Sequence, residues 1–217
     1  MPAKTDLKRT LPDYTAPASD FEMVTVPPRR YLAVTGSGDP NVAPEYADAL
    51  ATLYPAAYAL KFASKAAGRD YVVPPLEALW WADDLSVFTT ARDKSAWQWT
   101  VLNLVPDWLS SDLVSDVLEH VRTTKRPPLM DRLRLEPIDE GLCVQTLHLG
   151  PFDDEAPVLD RLHHEFVPAH DLRLTGRHHE IYFSDPRRVA PEKLRTILRQ
   201  PVLRIGGAGT NPAPQDV

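Results

Sequence analysis

Cysteine is all but missing from this chain of 217 residues, and the one it has, Cys143, leaves no partner for an internal disulfide. That fits a reducing, cytoplasmic setting. Long apolar runs are missing too. None approaches the ~20 residues of a membrane span, and the opening Met-Pro-Ala-Lys-Thr-Asp carries charge but no apolar stretch of a secretory signal. Basic residues are in deficit: 24 Lys and Arg against 30 Asp and Glu give a net charge of -6, so no electrostatic footprint for nucleic acid is present. Gly36-Ser37-Gly38 lacks the third glycine of a dinucleotide fingerprint. Seven histidines occur, yet no His-Glu-x-x-His. The neighbours in His163-His164-Glu165 and in His178-His179-Glu180 point apart on any regular element. Neither a metal nor an organic cofactor is expected.

What is present is an ordinary globular composition, 43% hydrophobic and 25% charged. The 22 prolines fall mostly between candidate elements. Residues 1–20 read as an arm laid over the body, anchored by Leu7, Leu11 and Tyr14. Residues 21–34 read as a strand in two pieces, broken by Pro27-Pro28, which marks an edge or a bulge. After a turn at 36–41, apolar residues at Tyr46, Leu50, Leu53, Ala57 and Leu60 have helical spacing, and Pro55 among them is expected to kink or split the helix. Strands follow at 71–81 and 96–105, then a helix from Ser110 or Ser111 to about Thr124. The order then repeats: a strand at 142–149, a helix from Asp153 or Asp154 through Phe166, and a strand after Gly176. A short helix at 191–198 and a closing strand at 202–205 complete it, and the tail from Gly206 is expected to be disordered. The pattern implies an α+β fold of two tandem β-α-β-β modules, about 21–125 and 126–205. They are expected to be related by a pseudo-two-fold, with a ligand cleft between them.

Two glutamates stand out, because carboxylates are depleted in strands and costly to bury unpaired. Glu180 lies in mid-strand in Arg-His-His-Glu-Ile-Tyr-Phe (177–183). Alternation puts His178, Glu180 and Tyr182 on one face, and His179, Ile181 and Phe183 on the other. Glu77 precedes Leu79, Trp80 and Trp81 in the matching strand of the first half. The bland alternative for each is an exposed carboxylate, or one paired with Arg177 or Arg69. Five tryptophans, two adjacent and two at i, i+2, exceed what a small core needs. Trp97 and Trp99 share a face and can form a stacking wall, whereas only one of Trp80 and Trp81 can point into a common cleft. Core packing is the bland reading of each ring. Cys143 reads as a small packed residue, and Asp185-Pro186-Arg187-Arg188 as a structural turn.

Six phrases, in order, resemble the GyrI-like small-molecule-binding proteins. They are Gly-Ser-Gly-Asp-Pro-Asn (36–41), Leu-Tyr-Pro-Ala-Ala-Tyr-Ala-Leu-Lys-Phe (53–62), Pro-Leu-Glu-Ala-Leu-Trp-Trp (75–81), Trp-Gln-Trp-Thr (97–100), His-Leu-Gly-Pro-Phe-Asp-Asp-Glu (148–155) and His-His-Glu-Ile-Tyr-Phe-Ser-Asp-Pro-Arg-Arg (178–188). The similarity is to the stand-alone branch and runs from about residue 6 to 202. It implies two duplicated modules around an aromatic cleft that takes bulky, flat, hydrophobic or cationic drugs and dyes through a buried glutamate. Some stand-alone members are hydrolases that open the strained cyclopropane of DNA-alkylating natural products, a detoxification. By this resemblance Glu180 is the buried glutamate and Glu77 its counterpart; as a catalytic pair, Glu180, the more surrounded by rings, is assigned as the acid and Glu77 as the base, with the roles exchangeable. Trp80, Trp81, Trp97, Trp99, Tyr71, Tyr182 and His178 are the expected ligand-binding residues. The alternative is a non-enzymatic multidrug-binding or sequestering module, or a gyrase-inhibitor-like interaction protein. Two departures count. Ala78 stands where the family phrase commonly has Gly, and the helix-turn-helix of transcription-factor members is missing, so DNA control is not implied.

Overall fold

Pro27 and Pro28 divide the first strand-like run, and the two pieces go to distant parts of one sheet. The computed structural model describes residues 4–83 and 93–206. Its elements run α1 (Leu7–Thr10), β1 (Glu22–Val26), β2 (Arg29–Ser37), α2 (Pro44–Ala66), β3 (Leu76–Trp81), β4 (Gln98–Val105), α3 (Ser111–Thr124), β5 (Arg134–Ile138) and β6 (Gly141–Leu149). Then come α4 (Ala156–Arg161), a π-helical turn Leu162–Phe166, α5 (Val167–Ala169), β7 (Leu172–Leu174), β8 (His178–Tyr182) and β9 (Arg195–Arg204). The runs β2-α2-β3-β4 and β6-α4-β8-β9 share one element order, apart from the added β7. The antiparallel sheet is ordered β1-β6-β9-β8-β3-β4-β2-β5, with β7 beside β9. It therefore reads the same outward from the β3–β8 seam. No helix among the described residues is long and apolar enough to cross a membrane.

Local chemistry explains most boundaries. Ser110 caps α3 by accepting from the Leu113 amide at 3.2 Å. Pro55 does not split α2. The carbonyl it leaves without a donor belongs to Ala51, an exposed position where water can take that place. Residues 71–75 are not strand, because Pro74-Pro75 cannot donate to a ladder, and β3 starts only at Leu76. The helix expected at 191–198 is one 3₁₀ turn, Pro191–Lys193, and the chain is already extended from Arg195. Thr196 and Ile197 are β-branched, and the strand lies between β6 and β8 with both faces covered. Residues 207–217 lie outside the described residues, so the expectation for the tail is not addressed.

Strand alternation gives the sheet two different faces. On one, Val34, Ala78, Trp80, Trp99 and Val101 pack in a core with Leu53, Ala56 and Leu60 of α2, and Val144 and Val202 pack with Leu162 of the π turn. On the other, Tyr31, Leu79, Leu102, Ile181 and Ile197 pack with Leu7 and Tyr14 of the arm. Gly36 shows how tight the first face is: a Cβ there would lie 2.7 Å from Trp99 Cζ2. Gly36→Ala is expected to cost about 1–3 kcal/mol of stability by overpacking. An unchanged urea midpoint would show that the indole yields freely.

Candidate functional site

Glu180 sits on the helix-covered face at the β3–β8 seam. Register pairs it with Ala78, and pairs Trp80 with His178. Tyr182 donates its hydroxyl hydrogen to Glu180 Oε2 at 2.6 Å and accepts from the Trp80 indole N–H at 2.9 Å. His178 Nε2 lies 3.5 Å from Glu180 Oε1, and both side chains are 13% exposed. Rings surround this group. Tyr46 of α2 stacks on Trp80 at 6.2 Å, Trp97 meets Trp80 edge-to-face at 5.5 Å, and Phe152 meets Tyr182 at 5.6 Å. Burial, then the charge of Glu180, pushes the Tyr182 and Tyr46 hydroxyls up, so both stay protonated donors at neutral pH. A carboxylate flanked by aromatic faces and apolar walls suits a flat, hydrophobic cation.

Two members of this group were not singled out from the sequence. Glu155, just before α4, is 5% exposed. Its carboxyl is pushed well up by burial, then by the charges of Glu180 and Asp153, against a hydrogen bond from the Thr196 hydroxyl. The neutral acid is the form these surroundings favour. His163, in the π turn, is held down at about 4 by burial and then by His178, and is neutral. The signal for Glu155 was present as the last residue of the 148–155 phrase. His163 carried none, because only the π turn decides where residue 163 falls.

The expectation that Glu77 and Glu180 meet across one cleft is corrected by strand parity. Glu77 pairs with Ile181, so it stands on the arm-covered face. There it is fully buried, accepts the Tyr14 hydroxyl hydrogen, and has His179 Nε2 at 3.0 Å. His179 Nδ1 meets Glu140 Oε1 at 2.9 Å, and Glu140 Oε2 accepts from Arg199 at 3.0 Å. Arg199 also donates to the Asp13 carbonyl at 2.7 Å, and Arg29 binds the Asp13 carboxylate through two bonds of 2.5 and 2.6 Å. This network ties the arm to the sheet. Trp81 faces the same way as Glu77 and lies under Arg177 at 3.6 Å. Trp99 is fully buried beneath Tyr46, and Tyr71 packs on Trp108 at 5.8 Å, so both are core. Arg69 likewise stacks on Trp108, leaving neither glutamate an arginine of the expected kind. Of the expected ligand-binding residues, Trp80, Trp97, Tyr182 and His178 gather around Glu180.

No group of three His, Cys, Asp or Glu able to hold a metal occurs among the described residues. A recess of about 280 Å³ lies elsewhere, lined by Phe21, Thr146, His148 and Arg161 among others. Thr146 and His148 already bond the carbonyls of Pro17 and Pro151, which leaves that recess little for directional recognition.

Residues 19–203 match the GyrI-like small molecule binding domain, and the chain belongs to that family. The fold is similar to an uncharacterised conserved protein from Listeria innocua at 37% identity, covering 92% of this chain and 100% of that one, with a TM-score of 0.82. It is also similar to a protein described as a hydrolase from Listeria innocua, at 37% identity, the same coverages and a TM-score of 0.78. The EcmrR C-terminal domain, at 12% identity, 86% and 98% coverage and a TM-score of 0.54, shares the fold alone. No curated protein matches the chain.

Proposed function

We propose that the protein binds flat, hydrophobic, cationic small molecules at Glu180 and hydrolyses a strained, cyclopropane-bearing electrophile there, a cytoplasmic detoxification. The observation that carries the binding is one half-shielded carboxylate joined to Trp80 through Tyr182 and bordered by Tyr46, Trp97 and Phe152. The observation that favours chemistry is a second carboxyl, Glu155, whose neutral form is favoured by burial and by the charge of Glu180. Like charges at close range resist ionising together, which separates an acid from a base. In ring opening, the oxygen of water bonds the cyclopropane carbon and the strained C–C bond breaks. Its electron pair moves to a conjugated carbonyl, Glu155 gives that oxygen a proton, and Glu180 takes one from the water. The description of the Listeria relative as a hydrolase agrees with this assignment. A sequestering module would use the same site without turnover.

Binding is tested by tryptophan fluorescence with a flat cationic dye and a neutral dye of the same shape. Glu180→Gln should weaken the cation roughly 10–100-fold, as loss of an interaction worth about 1.5–3 kcal/mol requires. The neutral dye should change by no more than about 2-fold. Equal effects on both dyes would refute a charge-centred site.

A further inference from the structure

Lys94 and Asp153 come from the two β-α-β-β runs and meet beside the Glu180 group. Lys94 opens a 3₁₀ turn, Lys94–Ala96, just before β4. Asp153 lies in another, Phe152–Asp154, just after β6. Both turns are held locally. Asp93 Oδ1 accepts the Ser95 amide hydrogen at 3.0 Å and the Ser95 hydroxyl hydrogen at 2.6 Å, and the Pro151 carbonyl accepts from the Asp154 amide at 3.0 Å. From these fixed ends Lys94 Nζ donates to Asp153 Oδ1 at 2.8 Å, and the same ammonium lies 5.6 Å from the centre of the Trp97 ring. Trp97 meets Trp80 at 5.5 Å, the Trp80 indole donates to Tyr182 at 2.9 Å, and Tyr182 meets Phe152, the neighbour of Asp153, at 5.6 Å. The contacts form a closed circuit. Side-chain exposure rises from 13% at Glu180 to 31% at Lys94 and 80% at Asp153, so the ion pair is the outward end of that circuit.

We propose that the Lys94–Asp153 ion pair is a clasp across the mouth of the Glu180 site, and that ligand enters and leaves when it opens. The proposal rests on the binding reading above and adds the residues that set the rate of exchange. An exposed ion pair contributes little to stability, so this one parts readily, which suits a clasp better than a strut. When it parts, the Trp97 side and the Phe152 side lose their ionic tie, and a flat ligand can pass between the rings. The pair closes over an occupied site as it does over an empty one. Entry and exit therefore wait on the same opening, and the clasp governs rates while leaving affinity alone. Electrostatic steering has a different signature. There the two charges would act in opposite directions, on the association of cations only.

The test mixes the full chain, by stopped flow, with a flat cationic dye and a neutral dye of the same shape, and reads association and dissociation rates separately. Lys94→Met and Asp153→Ala, made separately, should each raise both rates about 3–5-fold, the upper range for an exposed pair, and alike for the two dyes. Kd should move by less than about 2-fold. The double variant Lys94→Asp, Asp153→Lys restores the pair with its charges exchanged, and should bring both rates to within about 1.5-fold of the wild type. Unchanged rates in the single variants, or a double variant as fast as they are, overturn the clasp. So do association rates that move in opposite directions for the cationic dye alone, which is steering, and a change confined to dissociation, which is direct contact with the ligand. Each of these leaves the Glu180 reading standing if Glu180→Gln still weakens the cationic dye selectively. A wild type that binds neither dye removes that reading and the clasp with it.

Discussion

Replacing Arg199 by methionine is expected to lower the unfolding free energy by about 3–5 kcal/mol, the cost of breaking a buried ion pair from one side. The guanidinium is fully buried and donates to Gln145 Oε1 at 3.1 Å, Glu140 Oε2 at 3.0 Å and the Asp13 carbonyl at 2.7 Å. Methionine fills much of its volume but removes one of the two cationic partners of Glu140 in a dry interior, leaving it His179. The network also predicts a pH dependence. Asp13, Glu77 and Glu140 face Arg29, Arg199 and His179, so charge balances only when His179 is protonated. Burial alone would depress His179, but Glu140 and Glu77 more than offset it and hold it at about 9, above its ordinary 6.5. Its contribution, on the order of 3 kcal/mol, is complete below pH 6.5 and is lost as pH rises through about 9. Glu140 runs the other way. Burial would raise it, yet His179 and Arg199 hold it at about 2, so its contribution is complete above 4.5 and is lost as pH falls through about 2. Urea unfolding at pH 6 and pH 10 checks this. The wild type should lose stability between those values and His179→Gln should lose much less; parallel losses would remove His179 as the cause.

The second large effect is expected in turnover. Glu155→Gln keeps the shape of the side chain and removes its transferable proton, so hydrolysis of a cyclopropane-bearing electrophile should fall ~10²–10⁴-fold. Binding of that neutral compound should be largely preserved, since the amide still offers a donor and an acceptor. Glu180→Gln should cut turnover by a similar factor for a different reason, because it removes the group that takes the proton from water. It should also move the basic limb of the pH–rate profile to lower pH, since the charge of Glu180 is the second cause, after burial, that holds Glu155 up. Mass spectrometry reads the gain of one water. If both variants match the wild type, the acid–base assignment is lost. If the wild type returns the compound unchanged over hours, the protein sequesters and does not hydrolyse.

The roles of the aromatic residues are set by their distant neighbours. Five tryptophans invite one explanation, yet they serve several. Trp80 and Trp97 flank Glu180, Trp81 lies under Arg177, Trp99 fills the core above Gly36, and Trp108 receives Tyr71 and Arg69. Type and abundance are written in the sequence, but a ring's neighbours come from elements far apart along the chain.

The sequence by itself determined the fold class, the order of the two β-α-β-β runs and the face of β8 that carries His178, Glu180 and Tyr182. Those follow from periodicity and turn chemistry, which act over a few residues. It also marked both glutamates as unusual. Only the tertiary structure decided that they part company, because the β3–β8 register sets Ala78, not Glu77, opposite Glu180, and a shift of one residue in a strand exchanges its faces. That pairing gave Glu77 to the arm, and the β8–β9 register, which sets Thr196 opposite Tyr182, carries Glu155 to the Glu180 face through its hydrogen bond with Thr196. Neither outcome is encoded in local spacing, since each depends on where two distant strands are hydrogen-bonded in register.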